Sequence, residues 1–364
     1  MKYALSTVPI RTLDRLGLAP DVGPKVRFVV ERGNWSIKWD GQYITEGVNR
    51  IAPGTIKAEV HPSFMAKKLL HFGSQFQWLA WSKHVAASNR SICTFFHGKR
   101  EDDDDMSRHV DSFLASEHRL QKIVTAASVI ERRLLSWGVA REKLIRIPIG
   151  VDCTLFQPVS ELMRLKARQR YGIHPDQIVI GSFQKDGVGW GDGMEPKLIK
   201  GPDILLQTVE KVAKRHPVFV ILTGPARGYV KAGLDRLGIS YTHEFVRDYL
   251  DLPKFFSALD VYVNPSREEG GPKGILEAMA SGVLVSSTRV GMAEDVIADG
   301  VTGLLVDSED TDALSKAILT SLDTSRRKAI VEAARNRIVD FDWSVIARLH
   351  YEQLYLPMFG HEVS

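Results

Sequence analysis

Asn264-Pro265-Ser266-Arg267-Glu268-Glu269-Gly270-Gly271-Pro272-Lys273-Gly274-Ile275-Leu276-Glu277-Ala278-Met279-Ala280-Ser281-Gly282 is the stretch whose reading decides the fold. A strand-like run ends at Asn264, a glycine pair leads into Pro272, and an apolar helix runs to a glycine stop at Gly282. Backbone N–H groups at a helix start are thereby placed at the C-terminal edge of a sheet, a position suited to an anion such as phosphate. Gly270 and Gly271 carry no side chains to block a close approach. Two carboxylates, Glu269 and Glu277, flank the helix start, and a carboxylate accepts hydrogen bonds from two vicinal hydroxyls, the pattern a ribose or hexose presents. The plainer alternative is a helix cap with one solvent-facing acid.

Outward from this stretch, short β-branched runs at 178–183, 218–223, 260–264, 283–287 and 303–306 alternate with segments of helical spacing such as 202–215. That alternation predicts a parallel sheet with crossover helices. The first half reads similarly, with strands expected at 26–31, 56–60, 91–96, 123–125 and 144–147. Two α/β domains in series follow, bounded as 1–155, 156–340 and a C-terminal helical tail, 341–364. The length of 364 residues agrees with two domains at about 150 residues each.

Composition narrows the function classes. No apolar run approaches the ~18–20 residues of a membrane span, and the N-terminus lacks a secretory pattern, so a cytoplasmic protein is expected. Cys93 and Cys153 lie in different halves with no metal-binding spacing, so neither a disulfide framework nor a zinc site is suggested. The net charge of +4 divides unevenly: residues 1–150 hold 23 Lys and Arg against 15 Asp and Glu, the remainder 25 against 29. A basic first half attracts an anionic substrate or an acidic membrane surface. No nucleic-acid reader motif accompanies the charge.

Glu269 and Glu277, with Gly150-Val151-Asp152, Lys200-Gly201-Pro202-Asp203, Ser287-Thr288-Arg289-Val290-Gly291, Ile297-Ala298-Asp299-Gly300 and the tail Phe341-Asp342-Trp343, resemble in order and spacing the retaining glycosyltransferases of family 4. The resemblance implies the GT-B fold: two Rossmann-like parallel-sheet domains facing a cleft, with a C-terminal helix crossing back to the first. It implies transfer of a hexose from a nucleoside diphosphate sugar to a hydroxyl acceptor, without a metal. Glu277 would hold the ribose, Glu269 the donor sugar, and Gly270, Gly271 and Lys200 the diphosphate, whose growing negative charge they stabilise. His97, at the end of the Cys93-Thr94-Phe95-Phe96 strand, would face the sugar from the first domain. On the residues alone, a lone histidine at a strand end is more often a structural residue.

The chain departs from the family in two places. Where most members have an arginine after the first donor-domain strand, it has Gln184-Lys185, leaving open whether Lys185 supplies the charge or Gln184 a neutral hydrogen bond. In place of a glycine pair after the first strand it has Glu31-Arg32-Gly33-Asn34-Trp35, so Gly33 is the single candidate for a donor loop. The glycine-rich insert 186–199 does not match a dinucleotide fingerprint and is expected to be a flexible loop near the diphosphate. Asp102 to Asp105 read as a solvated run or a patch for a basic acceptor. The aromatic, weakly basic stretch from Phe64 to Lys83 reads as core or as a membrane-interface segment for a lipid-linked acceptor, with the protein peripheral at the inner membrane surface. A sugar-nucleotide epimerase and a non-catalytic nucleotide-sugar-binding subunit are the competing functions.

Overall fold

The computed structural model of the protein describes residues 2–33 and 36–359. Two compact units result, one formed by the chain up to Gly150 together with the segment from Trp343 onward, the other by Val151–Asp342. Val151 to Leu155 and Phe341-Asp342, expected with the first domain and the tail, thus belong to the second unit. Parallel pairing of the Val151 and Asp342 backbones closes it at its two chain ends.

The first unit is a six-stranded sheet of β1 (Val26–Val29), β2 (Ile56–Glu59), β3 (Leu69–Phe72), β4 (Arg90–Thr94), β5 (Lys122–Thr125) and β6 (Leu144–Arg146). All its pairings are parallel, in the order β2-β1-β3-β4-β5-β6. β3 falls inside the stretch read as a membrane-interface candidate. All four of its residues are buried, as are Trp78 and Trp81 in the helix that follows, so most of that stretch is core. Of its aromatic residues, Phe64 and Phe76 are exposed, at 73% and 43%.

The C-terminal segment is an integral part of this unit. Trp343 stacks on Tyr43 at 5.2 Å with nearly parallel rings, and a Cβ on Gly47 or Gly150 would overlap Ala347 or Trp343 respectively. Further along, Tyr355 Oη lies 2.8 Å from Nδ1 of the buried His71, whose Nε2 is 2.9 Å from Thr94 Oγ1. Burial, then the neighbouring His350, holds His71 well below the usual histidine range. Burial likewise brings His350 down to about 4, partly offset by its hydrogen bond with the Ile346 carbonyl.

The second unit repeats the plan with β7 (Ile178–Ser182), β8 (Val218–Thr223), β9 (Ser240–Glu244), β10 (Val261–Asn264), β11 (Leu284–Thr288) and β12 (Leu304–Val306). β7, β8, β10 and β11 are buried along their whole length, as expected of a sheet covered on both faces. The helix Pro202–Ala213 turns Ile204, Leu205, Val209 and Val212 into that core. β7 is first in sequence yet central in the order β12-β11-β10-β7-β8-β9. The chain leaves β7 toward β8 on one side and later returns with β10 on the other, so the connections after β7 and β10 diverge. Such a switch point is where open α/β sheets bind ligands, outside the carboxyl ends of the strands.

Among the described residues no helix is long and apolar enough to cross a membrane, and no group of three or more His, Cys, Asp or Glu side chains is placed to hold a metal ion.

Candidate functional site

The connection after β10 carries the quoted motif, and the connection after β7 carries Gln184 to Lys200. They meet through Gly201. At φ 64° this residue is in the left-handed region, and a Cβ on it would overlap the Pro265 carbonyl oxygen, so only glycine fits both the turn and the contact. Arg267 secures the same junction. Its guanidinium grips Asp203 with two 2.8 Å bonds and donates to the Leu198 carbonyl at 2.7 Å, while its own N–H donates to the Ile199 carbonyl at 2.8 Å. A bidentate pair fixes direction as well as distance.

This junction brings Lys200 Nζ to 2.7 Å from Glu269 Oε2, with side-chain exposures of only 16% and 11%. The other carboxylate oxygen of Glu269 lies 3.0 Å from the buried Ser266 hydroxyl, which also faces Asn264 Oδ1 at 3.1 Å and Gln184 Oε1 at 3.3 Å. Gln184 in turn donates from Nε2 to the Lys200 carbonyl at 2.6 Å. Gln184 is therefore a positioning residue for Lys200, not a free donor awaiting a ligand. Lys185 is the charged member of the pair, its ammonium 4.1 Å from the Trp190 ring centre.

Lys197, which the sequence reading passed over, joins this group. Burial, then the positive charges of Lys200 and Lys185, lowers its affinity for a proton, and Glu269 partly restores it. Lys197 is thus close enough to Lys200, Lys185 and Glu269 to feel the charge of each. The signal was available in the spacing, since Lys197 precedes Lys200 by three residues, one turn of the Leu198–Lys200 3₁₀ segment.

The insert between Lys185 and Lys197 is not the flexible loop expected from its glycines. Gly187 and Pro196 pair in antiparallel fashion, and Val188 N–H donates to the Glu195 carbonyl at 2.9 Å. The Asp192 and Gly193 carbonyls accept from Gly228 and Tyr229 at 2.6 and 2.9 Å. The glycines serve close packing: a Cβ at Gly187 or Gly193 would overlap the Ala226 backbone. Beneath the hairpin, Arg227 and Asp186 form a wholly buried ion pair with Nε 2.9 Å from Oδ1. Nη1 of Arg227 also donates to the carbonyls of Ser182, Gln184 and Thr223 at 2.7, 2.7 and 2.9 Å. One guanidinium therefore sets the backbone that presents Gln184 and Lys185. Burial raises the Asp186 carboxyl, the adjacent Arg227 charge opposing it, and burial lowers Arg227.

Glu277 lies in the helix Lys273–Ala280, 4% exposed, and accepts a 2.7 Å hydrogen bond from Tyr249 Oη. A solvent-facing acid is thus ruled out. Pro272 caps this helix with no side-chain bond, so its first N–H groups are not taken by a cap. Gly274 gives room to the Tyr262 hydroxyl, which a Cβ would overlap. Burial, then the charges of Glu277 and Glu269, pushes the Tyr262 hydroxyl far up. The Gly270 carbonyl accepts from Met292 N–H at 3.0 Å, and Gly291, at φ 48°, leaves space for the carbonyls of Glu269 and Gly270. Gly271 follows, half-buried, immediately before Pro272.

His97 and Gly33 belong to the first unit. His97 lies three residues beyond β4 and is half-buried. The side chain of the buried Gln75 brackets its backbone, donating to the His97 carbonyl at 2.9 Å and accepting from Phe96 N–H at 3.1 Å. Gly33 follows β1 in a bend, and its neighbours Asn34 and Trp35 lie outside the described residues. Of the acidic run, Asp103 caps the helix Asp104–Ser116 by accepting from Met106 N–H at 2.7 Å, and Asp102 accepts from Lys99 N–H at 2.8 Å. The run is thus a helix start, where negative charge is stabilised by the positive end of the helix dipole.

Two Rossmann-like units in series, each a six-stranded parallel sheet, the second with lysines, a buried Glu277 and an uncapped helix start beside its switch point, define the GT-B glycosyltransferase fold. Residues 192–324 match the family described as Glycosyl transferases group 1. The chain is 32% identical over 232 residues to a D-inositol 3-phosphate glycosyltransferase of Corynebacterium jeikeium, covering 59% of this chain and 52% of the relative. It is 29% identical over 203 residues to a GDP-mannose-dependent alpha-(1-6)-phosphatidylinositol monomannoside mannosyltransferase of Mycolicibacterium smegmatis, covering 52% and 50%. The chain spans about half the length of these curated relatives. A crystal structure of Anabaena Alr3699/HepE in complex with UDP and glucose superposes with a TM-score of 0.73 at 18% identity, covering 91% of this chain and 99% of that one. At that identity the likeness is one of fold.

Proposed function

We propose that the chain is a retaining glycosyltransferase that moves a hexose from a nucleoside diphosphate sugar to a hydroxyl acceptor. The observation that carries the reading is the Lys200–Glu269 pair at the switch point, with Lys197 near enough to Lys200 and Lys185 to feel their charges. Bringing lysines together costs energy that a bound polyanion returns, and a diphosphate has the required charge. As the glycosidic bond breaks, negative charge grows on the diphosphate, and fixed ammonium groups there stabilise the transition state more than the ground state. The lysines and the Gly270 and Gly271 amides take this work without a divalent ion. Glu269, released from Lys200 when the diphosphate arrives, accepts from hydroxyls of the donor sugar, and Glu277, oriented by Tyr249, accepts from the ribose hydroxyls. The leaving diphosphate oxygen takes the acceptor proton while the acceptor attacks the same face, which retains the anomeric configuration. The family resemblance assigns His97, through its ring or its Gln75-oriented carbonyl, a role toward the donor sugar, and Gly33 a role in donor binding.

For the acceptor we propose a phosphorylated or lipid-linked polyol. The relatives' names contain inositol 3-phosphate and phosphatidylinositol, and the basic first half suits such an anion. The test is a thermal-shift panel of UDP- and GDP-sugars, followed by transfer with the stabilising donor in the presence of a chelator. A ligand that binds only the folded protein raises its melting temperature. One donor should stabilise the wild type and much less so Lys200→Ala, and the product linkage should keep the donor's anomeric configuration. Donor isomerisation without an acceptor, or inversion in the product, would defeat the proposal.

A further inference from the structure

A second basic site lies in the first unit, remote from the carboxyl ends of its strands. A pocket of about 400 Å³ opens where the helix Lys2–Arg15 passes the start of β4, lined by Arg11, Arg15, Lys83 and Arg119, with Asp14 the acid among its lining residues. Its volume falls in the range of small-molecule sites, roughly 300–1,000 Å³. Asp14 is already engaged, accepting from the Ser88 N–H at 3.0 Å and from the Ser88 hydroxyl. Arg119 is held over the Trp78 ring at 5.5 Å and donates to the Ser82 carbonyl. Arg11, Arg15 and Lys83 have no acidic partner among the described residues. Arg11 and Arg15, four apart, share one flank of their helix. Four cations around a concave, polar space, with their one carboxylate turned to the Ser88 amide and hydroxyl, have the chemistry of an anion receptor. The hydroxyl-bearing Ser91 lines the same space.

We propose that this pocket binds a phosphate ester of a small polyol. Guanidinium forks match phosphate oxygens two at a time, and the volume leaves room for a polyol beside the phosphate. The pocket is set apart from the carboxyl end of β4: Ser91 lies near the start of that strand and His97 three residues beyond its end, a span of up to about 20 Å at ~3.3 Å per residue. It anchors or senses its ligand at a distance, and the inference stands independently of the donor reading. The ligand is either free in solution or the headgroup of a phospholipid.

Both sources are tested in Lys200→Ala protein, which weakens the lysine cluster of the other unit. This protein, with and without Arg11→Ala and Arg15→Ala, is titrated with glycerol 1-phosphate. In parallel it is floated with phosphatidylcholine vesicles lacking or containing phosphatidylinositol. Saturable binding in at least one arm is expected, weakened about tenfold or more by the paired substitutions and absent with glycerol or phosphatidylcholine alone. Binding confined to glycerol 1-phosphate assigns a free ester, and flotation confined to phosphatidylinositol vesicles assigns a lipid headgroup. Equal binding with and without the two arginines, at matched melting temperatures, or no binding in either arm, overturns the proposal.

Discussion

Replacing Glu269 by glutamine should tighten nucleoside diphosphate binding while it slows transfer. In the free protein Lys200 is paired with Glu269 at 2.7 Å, so an incoming diphosphate competes with a carboxylate for the same ammonium. With the lysine between them, the carboxylate and a phosphate oxygen are about 5–6 Å apart, and at an effective dielectric constant of about 20–40 their repulsion is about 2 kcal/mol. Removing that charge should lower the Kd for UDP or GDP by roughly thirtyfold. Glutamine retains an acceptor toward Ser266, so the surrounding hydrogen bonds survive. The same change takes away the charged acceptor for the donor sugar's hydroxyls, and kcat should fall by about 10² or more. Isothermal titration with the nucleotide and a transfer assay with the full donor read the two effects separately. A Kd that is unchanged or weaker in Glu269→Gln would refute the view that the ion pair guards an anion site.

Nucleotide binding should be linked to proton uptake by Lys197. Its ammonium is held below the ordinary lysine value of 10.5, and a diphosphate restores it, so at alkaline pH, below that value, binding takes up a proton and affinity falls as pH rises; binding heats that do not vary with buffer ionisation enthalpy there would contradict this. Gly201→Ala should cost about 2 kcal/mol or more in urea unfolding, from its positive φ and the overlap with Pro265, and should weaken nucleotide binding by displacing Lys200; wild-type values for both would count against the junction. Acid should destabilise the first unit through His350. A lowered histidine contributes stability present above the unfolded pKa near 6.5 and lost as pH falls through the folded value of about 4, a loss of about 3 kcal/mol. The acid limb of urea midpoints should be shallower in His350→Leu.

Much of the second unit was legible in the chain because its elements announce themselves locally. The runs 218–223 and 260–264 are continuous apolar strands, and Gly282 and Gly201 punctuate helices where punctuation was expected. β9, Ser240–Glu244, escaped notice because an edge strand is half-exposed and polar. β3 escaped for a different reason: Leu69–Phe72 follows two lysines within an aromatic run, and no periodicity separates a buried central strand from an amphipathic surface segment. Glycines in the 186–199 insert suggested flexibility, whereas two of them, Gly187 and Gly193, let the hairpin lie against the Ala226 backbone.

The sequence by itself determined two α/β domains, the placement of Glu269, Gly270 and Gly271 between a strand and an apolar helix carrying Glu277, and the surplus of positive charge in the first half. These depend on spacing along one chain, which local sterics and backbone hydrogen bonding translate directly into strand, turn and helix. Only the tertiary structure decided which charges meet. Lys200 and Glu269 are 69 positions apart in the chain, and their pairing exists because β10 returns beside β7. The hydrogen bond from Gln184 to the Lys200 carbonyl and the nearness of Lys197 to Lys200 and Lys185 are likewise products of the tertiary fold. Electrostatic interaction depends on separation in space and on burial, and neither is a property of the order of residues.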